Sequence, residues 1–141
     1  MKQLFTIGVF WIIKDNEGRV LLCLRNDYDF WNLPGGWLEK WETPWEWVVR
    51  EVKEETWLNV KVKRMTGVYS KTYADEVIFA FECEIIDWEI SLNEEAKDIK
   101  YFSLYDIPDN TVLKHIERIK DCLEDKTVPV MKVQNKWADK Y

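Results

Sequence analysis

The chain has 141 residues, 47% hydrophobic and 33% charged, which argues for a single soluble domain around one core. A net charge of −6 excludes the basic face that duplex nucleic acid or an anionic membrane would demand, so neither partner is expected. Three scattered cysteines (Cys23, Cys83, Cys122) and a single histidine, His115, argue against a disulfide framework or a zinc site and fit reduced thiols in the cytoplasm.

In chain order, the apolar run over 4–13 is too short to cross a bilayer and lacks the flanks of a signal peptide, so it reads as a strand. "DNEGR" (15–19) is a turn, and "VLLCLR" (20–25) a second buried strand. Residues 26–42 carry Gly, Pro and Asn without a long period and read as a functional loop. Thr43-Pro44-Trp45-Glu46 is a capping box with Pro at the first helical position, which predicts a helix over 44–56. Its buried stripe is expected at Val48, Val49 and Val52, with Trp45 between them.

Residues 59–73 alternate and read as one or two strands, and 76–86 as a strong strand. "DW" (87–88) is a turn, and 99–107 a strand running into a turn at Pro108. Val112, Leu113, Ile116, Ile119 and Leu123 fall at helical spacing, so 110–124 is a second amphipathic helix, with His115 as a partly exposed surface residue. Residues 1–125 form one domain, and 126–141, with four Lys and one Asp, a partly ordered tail. Strands on both sides of a helix and a terminal helix predict an α/β sandwich with a mixed sheet.

The end of the first helix breaks local rules. With Glu51 at 0°, Glu55 falls at about +40° and Glu54 at about −60°, so three carboxylates share one face. Their mutual repulsion and the negative end of the helix dipole both disfavour them there. Clustered oxygens suit a hard divalent cation, and Mg²⁺ shares its shell with substrate phosphates. A cation between them also lets an acidic chain hold a polyphosphate.

Gly36, Glu42, Arg50, Glu51, Val52, Glu54, Glu55 and Leu58 form the spacing G-x5-E-x7-R-E-V-x-E-E-x-W-L. This resembles the Nudix box, G-x5-E-x7-R-E-U-x-E-E-x-G-U, at every defined position but Trp57, and "WNLPGG" (31–36) resembles its lead-in. The resemblance implies an α/β/α sandwich and Mg²⁺- or Mn²⁺-dependent hydrolysis of a nucleoside diphosphate linked to another moiety. It makes Glu51, Glu54 and Glu55, with the Gly36 carbonyl, the metal ligands, and Glu42 with Arg50 a pair that braces the loop. The general base is one of the helix carboxylates or, in a loop further on, Glu94 or Glu95. Arg25 is a candidate phosphate contact. Oligomeric state stays open between monomer and homodimer, dimers being frequent in the family.

Nine Trp stand beside only five Gly, about half the usual glycine share of about 7%. Trp57 fills the position where the helix would end on a left-handed residue, ordinarily Gly. Trp11, Trp37, Trp41, Trp47 and Trp88 also fall where the family often has Gly or a small residue, with Trp47 expected on the metal face. One account is a UGA codon meant as Gly and read as Trp. The alternative to an active hydrolase is a catalytically weak Nudix-fold nucleotide-binding module, its loop crowded by indoles.

Overall fold

A computed structural model describes residues 2–87, 96–124 and 127–136. The first hairpin sets the architecture. Asp15 caps its turn, its carboxylate accepting from the Glu17 and Arg19 amides at 2.9 Å, and Gly18 takes the left-handed φ of +77° that the turn needs. The hairpin joins β1 (Thr6–Ile13) to β2 (Val20–Arg25), but the two strands meet only at the Lys14–Val20 bridge and then part. β1 runs parallel to β6 (Glu76–Asp87) along its whole length and pairs with β4 (Gly35–Trp37) on its other edge. β2 pairs instead with β3 (Trp31–Asn32) and β7 (Ala96–Phe102).

Two sheets result. The larger has the order β4-β1-β6-β5-β8, with β5 spanning Asn59–Lys71 and β8 spanning Val130–Val133; the smaller has the order β3-β2-β7. The sheet is mixed, since β1–β6 and β5–β8 are parallel and the other pairs antiparallel. Alternate residues of β1 face two cores. Val9, Trp11 and Ile13 pack with Trp47, Val48 and Val52 of α1 (Pro44–Thr56). Ile12 packs on the other side with Val20, Leu22, Leu33 and the residues Ile119 and Cys122 of α2 (Leu113–Leu123). The helices therefore cover opposite faces, the α/β sandwich that the sequence predicts. No described helix is long and apolar enough to cross a membrane.

α1 begins and ends where expected, with both capping-box hydrogen bonds formed. Its buried stripe is rotated from the predicted one. Val49 and Trp45 are exposed, while Trp47 and Thr56 join Val48 and Val52 inside. Trp11 accounts for the rotation: its ring lies 5.8 Å from that of Trp47, and both are buried in one core. The predicted loop 26–42 contains the short strands β3 and β4, and the tail supplies β8. α2 starts three residues later than predicted, because Asn110 and Val112 are engaged by Trp31 through backbone hydrogen bonds of 2.9 and 3.1 Å. His115 is buried at 3% exposure rather than at the surface. Trp88, Glu94 and Glu95 lie outside the described residues.

Candidate active site

The parting of β1 and β2 opens a cleft of about 800 Å³ between the two sheets. Phe10 of β1, Cys23 and Arg25 of β2, and Gly35–Trp37 of β4 line it, with Glu55 of α1 on one side and Lys114, His115 and Arg118 of α2 on the other. Gly35 has to be Gly: a Cβ there would stand 2.3 Å from the Phe10 ring and 2.6 Å from the Val9 carbonyl oxygen. Gly36 packs against Trp47, whose ring would lie 3.2 Å from an added Cβ.

At the mouth beside α1 the acidic residues gather round one guanidinium. Arg50 donates through Nε and Nη2 to both carboxylate oxygens of Glu42, at 2.9 and 2.6 Å. Its Nη1 reaches Glu51 at 3.2 Å and Glu54 at 3.0 and 3.1 Å, and Nη2 lies 3.6 Å from Glu39. The predicted Glu42–Arg50 pair is thus formed, and it ties the loop ahead of α1 to the middle of the helix. Arg50 holds the Glu42 carboxyl below its usual range. Burial pushes Glu51 up; Arg50 opposes that and the neighbouring Glu54 charge reinforces it. Glu54 points to solvent, and Glu55 borders the cleft. Sequence reasoning missed Glu39, which the loop geometry alone brings to Arg50.

The three cysteines are free thiols. Burial pushes Cys23, inside the cleft, and Cys83 up to about 12 and Cys122 up to about 11, so none is a poised nucleophile. Arg25 lines the cleft, where its fork is engaged by Asp27 at 2.7 and 2.6 Å. Tyr69 is buried with its hydroxyl donating to Asp121 at 2.8 Å.

Residues 4–122 match the NUDIX domain. The chain belongs to the Nudix family. It is 38% identical over 121 residues to an ADP-ribose pyrophosphatase of Methanocaldococcus jannaschii, covering 81% of this chain and 71% of that one. It is 31% identical to a MutT-like protein of Streptomyces ambofaciens, covering 86% and 79%. Its fold matches the crystal structure of an ADP-ribose pyrophosphatase from Streptococcus suis 89-1591 with a TM-score of 0.79 and 26% identity, over 93% of this chain and 100% of that one. By these relationships the protein is a Nudix hydrolase, and hydrolases of this family generally work with a divalent metal.

The residues suit such an ion. The donors are carboxylate oxygens, the hard ligands that Mg²⁺ and Mn²⁺ prefer. Arg50 Nη1, between Glu51 and Glu54, is a stand-in cation already held by two of the predicted ligands. Among the described residues no three His, Cys, Asp or Glu side chains are grouped so as to hold a metal ion, so the convergence that the shared helix face predicts for Glu51, Glu54 and Glu55 is not formed here.

Proposed function

We propose that this Nudix hydrolase cleaves a nucleoside diphosphate linked to another moiety, with ADP-ribose the first substrate to test. Glu51, Glu54 and Glu55, with the Gly36 carbonyl, would hold Mg²⁺ or Mn²⁺. The metal, when bound, would polarise the diphosphate oxygens and lower the pKa of water. Glu42 keeps Arg50 and its side of the loop in place beside Glu51 and Glu54. A helix carboxylate takes the proton from the attacking water; Glu94 and Glu95 are the alternatives for that role. Arg25 meets a phosphate oxygen once it leaves or shares Asp27. The supporting observation is the capture of one guanidinium by Glu42, Glu51 and Glu54, next in sequence to Glu55, which borders the cleft. Hydrolysis of ADP-ribose that appears with Mg²⁺ or Mn²⁺ and vanishes with EDTA is the expected result. No metal-dependent turnover of any nucleoside diphosphate derivative would overturn the proposal and favour the binding-module alternative. The site of action would be the cytoplasm, with the oligomeric state left to sedimentation.

That alternative draws on the tryptophans. Trp41 and Trp57 have φ of +73° and +64°, a backbone region costly for any residue with a Cβ and natural for Gly. Trp11 and Trp47 fill the α1 core, but both bury an indole N–H without a hydrogen-bond partner. Trp37 is half-exposed and lines the cleft. These features support reading 11, 37, 41, 47 and 57 as positions for glycine or a small residue occupied by Trp, through a UGA codon read as Trp; Trp88, outside the described residues, rests on the sequence alone. The coding DNA decides it: UGG at 37, 41, 57 and 88 would end that account. If it holds, the glycine form is the more active hydrolase, because small displacements of a metal-binding loop cost rate steeply.

A further inference from the structure

The α2 side of the cleft has chemistry that the hydrolytic step leaves unused. His115 is 3% exposed and borders the cleft. Its Nδ1 accepts the Leu33 amide at 2.9 Å, and an accepting imidazole nitrogen carries no proton, so the proton of the neutral ring sits on Nε2. The Phe10 ring meets the imidazole edge-on with centroids 4.9 Å apart, which fixes its tilt. Among the described residues Nε2–H has no hydrogen-bond partner. The donor is left to an acceptor in the cleft that His115 borders.

The surroundings select what that donor meets. Lys114 and Arg118 of α2, Lys71 at the end of β5 and Arg25 of β2 line the same cleft. All four act electrostatically on His115 and, after burial, hold the ring neutral. Lys71 is paired with Glu76 at 2.8 Å, and Arg118 donates to Gln134 at 2.8 and 3.1 Å while lying 4.7 Å from the centre of the Phe10 ring. The wall therefore presents donors and positive charge. It stands across the cleft from Glu55, since α1 and α2 cover opposite faces of β1.

We propose that this wall is a phosphate site in which His115 Nε2–H donates to an anionic oxygen within the field of Lys71, Lys114 and Arg118, so that the preferred substrate carries a phosphate on the moiety remote from the scissile diphosphate. The substrate assignment rests on the hydrolase function proposed above; the phosphate site itself does not. His115 is the only histidine in the chain, so its ring resonances are read without assignment. In the metal-free protein, inorganic phosphate or ribose 5-phosphate shifts the ring ¹⁵N and Cε1–H signals and raises the ring pKa by about one unit, whereas chloride at matched ionic strength does not. With metal, a nucleoside diphosphate sugar phosphorylated on its distal ribose is hydrolysed with about tenfold higher kcat/KM than its unphosphorylated counterpart. His115→Phe abolishes that preference, and His115→Gln, which keeps an N–H donor, restores part of it. Ring signals that ignore phosphate, or equal kcat/KM for the two substrates, would overturn the proposal. Absence of hydrolysis of both would refute the hydrolase function instead, and the phosphate titration would still decide the site.

Discussion

The two helices spend their charge in opposite ways. α1 buries Trp47, Val48, Val52 and Thr56 and sends its acidic residues to the rim of the cleft and to solvent. α2 exposes Leu113 and buries His115, Arg118 and Asp121. Asp121 accepts from the Tyr69 hydroxyl and from Lys132 Nζ, both at 2.8 Å, and Gln134 links Arg118 to the Lys114 carbonyl and the Glu117 carboxylate. Charge inside α2 is answered by side chains from β5 and the tail, whereas Glu51 and Glu54 of α1 share one guanidinium, that of Arg50, with Glu42. The carboxylates of α1 therefore need a ligand to account for them, and most of the charges of α2 do not.

Exchanging one group from each helix should separate the two uses. Glu54→Gln or Glu55→Gln is expected to lower metal-dependent kcat/KM by roughly 10²–10⁴-fold, the range for removing a group that acts on the reacting centre. Thermal stability should change by no more than about 0.5 kcal/mol, because Glu54 is exposed and its Arg50 pair is a surface one. Arg118→Leu should do the reverse of this on stability. It leaves Gln134 Oε1 without its two N–H donors and removes the cation from the Phe10 and Tyr69 rings, a loss of about 3 kcal/mol. Urea melts read that as a midpoint lowered by about 1–2 M. Equal effects of both substitutions on stability would erase the contrast.

The same contrast governs what could be read from sequence. α1 was legible to the residue because its start is written locally, in Thr43, Pro44 and Glu46, and its function in the spacing of Gly36 to Leu58. β1, β2 and β6 were legible as apolar runs and β5 from alternation, while β3, β4 and β8 were hidden in the predicted loop and tail. The stripe of α1 was not, because its rotation is fixed by the Trp11–Trp47 contact between distant segments. α2 was half legible: its apolar positions marked a helix, but His115, Arg118 and Asp121 form a second face at spacings of three that looked like a solvated one. Their partners, Tyr69, Gln134 and Leu33, come from β5, the tail and the loop after β3, and no local rule links them. At Trp57 and Trp41, where the family resemblance implies glycine, the backbone has a positive φ.

Trp57 tests that expectation with a smaller effect. The residue ends α1 by donating its amide to the Lys53 carbonyl at 2.9 Å, a bond that glycine would keep. Its indole is mostly exposed, with Lys53 Nζ 5.8 Å from the ring centre as the main contact to lose. Relief of the left-handed strain is worth about 1–2 kcal/mol, more than an exposed cation–π contact of about 0.5–1 kcal/mol. Trp57→Gly should therefore raise the melting temperature by a few degrees, and Trp41→Gly, where the side chain is 99% exposed, should do so with less to offset. A lower melting temperature for both would show that the indoles stabilise the loop and would remove the energetic case for glycine there.

The remaining effect belongs to α2 and depends on pH. Burial, then Arg118, Lys114, Lys71 and Arg25, depress the folded-state pKa of His115 well below 6.5; the carboxylates nearest these cations, Glu76 and Asp27, are already paired with Lys71 and Arg25. The unfolded chain takes up a proton at about pH 6.5 while the folded chain does not, so this group's contribution to stability is complete above that pH and is lost as pH falls towards the folded value. One unit below 6.5 the loss is about 1.4 kcal/mol. Urea midpoints of wild type and His115→Gln, compared at pH 7.5 and 5.5, should show the wild type losing more on acidification by that amount, with the carboxylate contributions common to both cancelling in the difference. Parallel losses would mean that His115 takes up its proton in the folded state, and that its Nε2–H is not the fixed neutral donor that the Leu33 hydrogen bond implies.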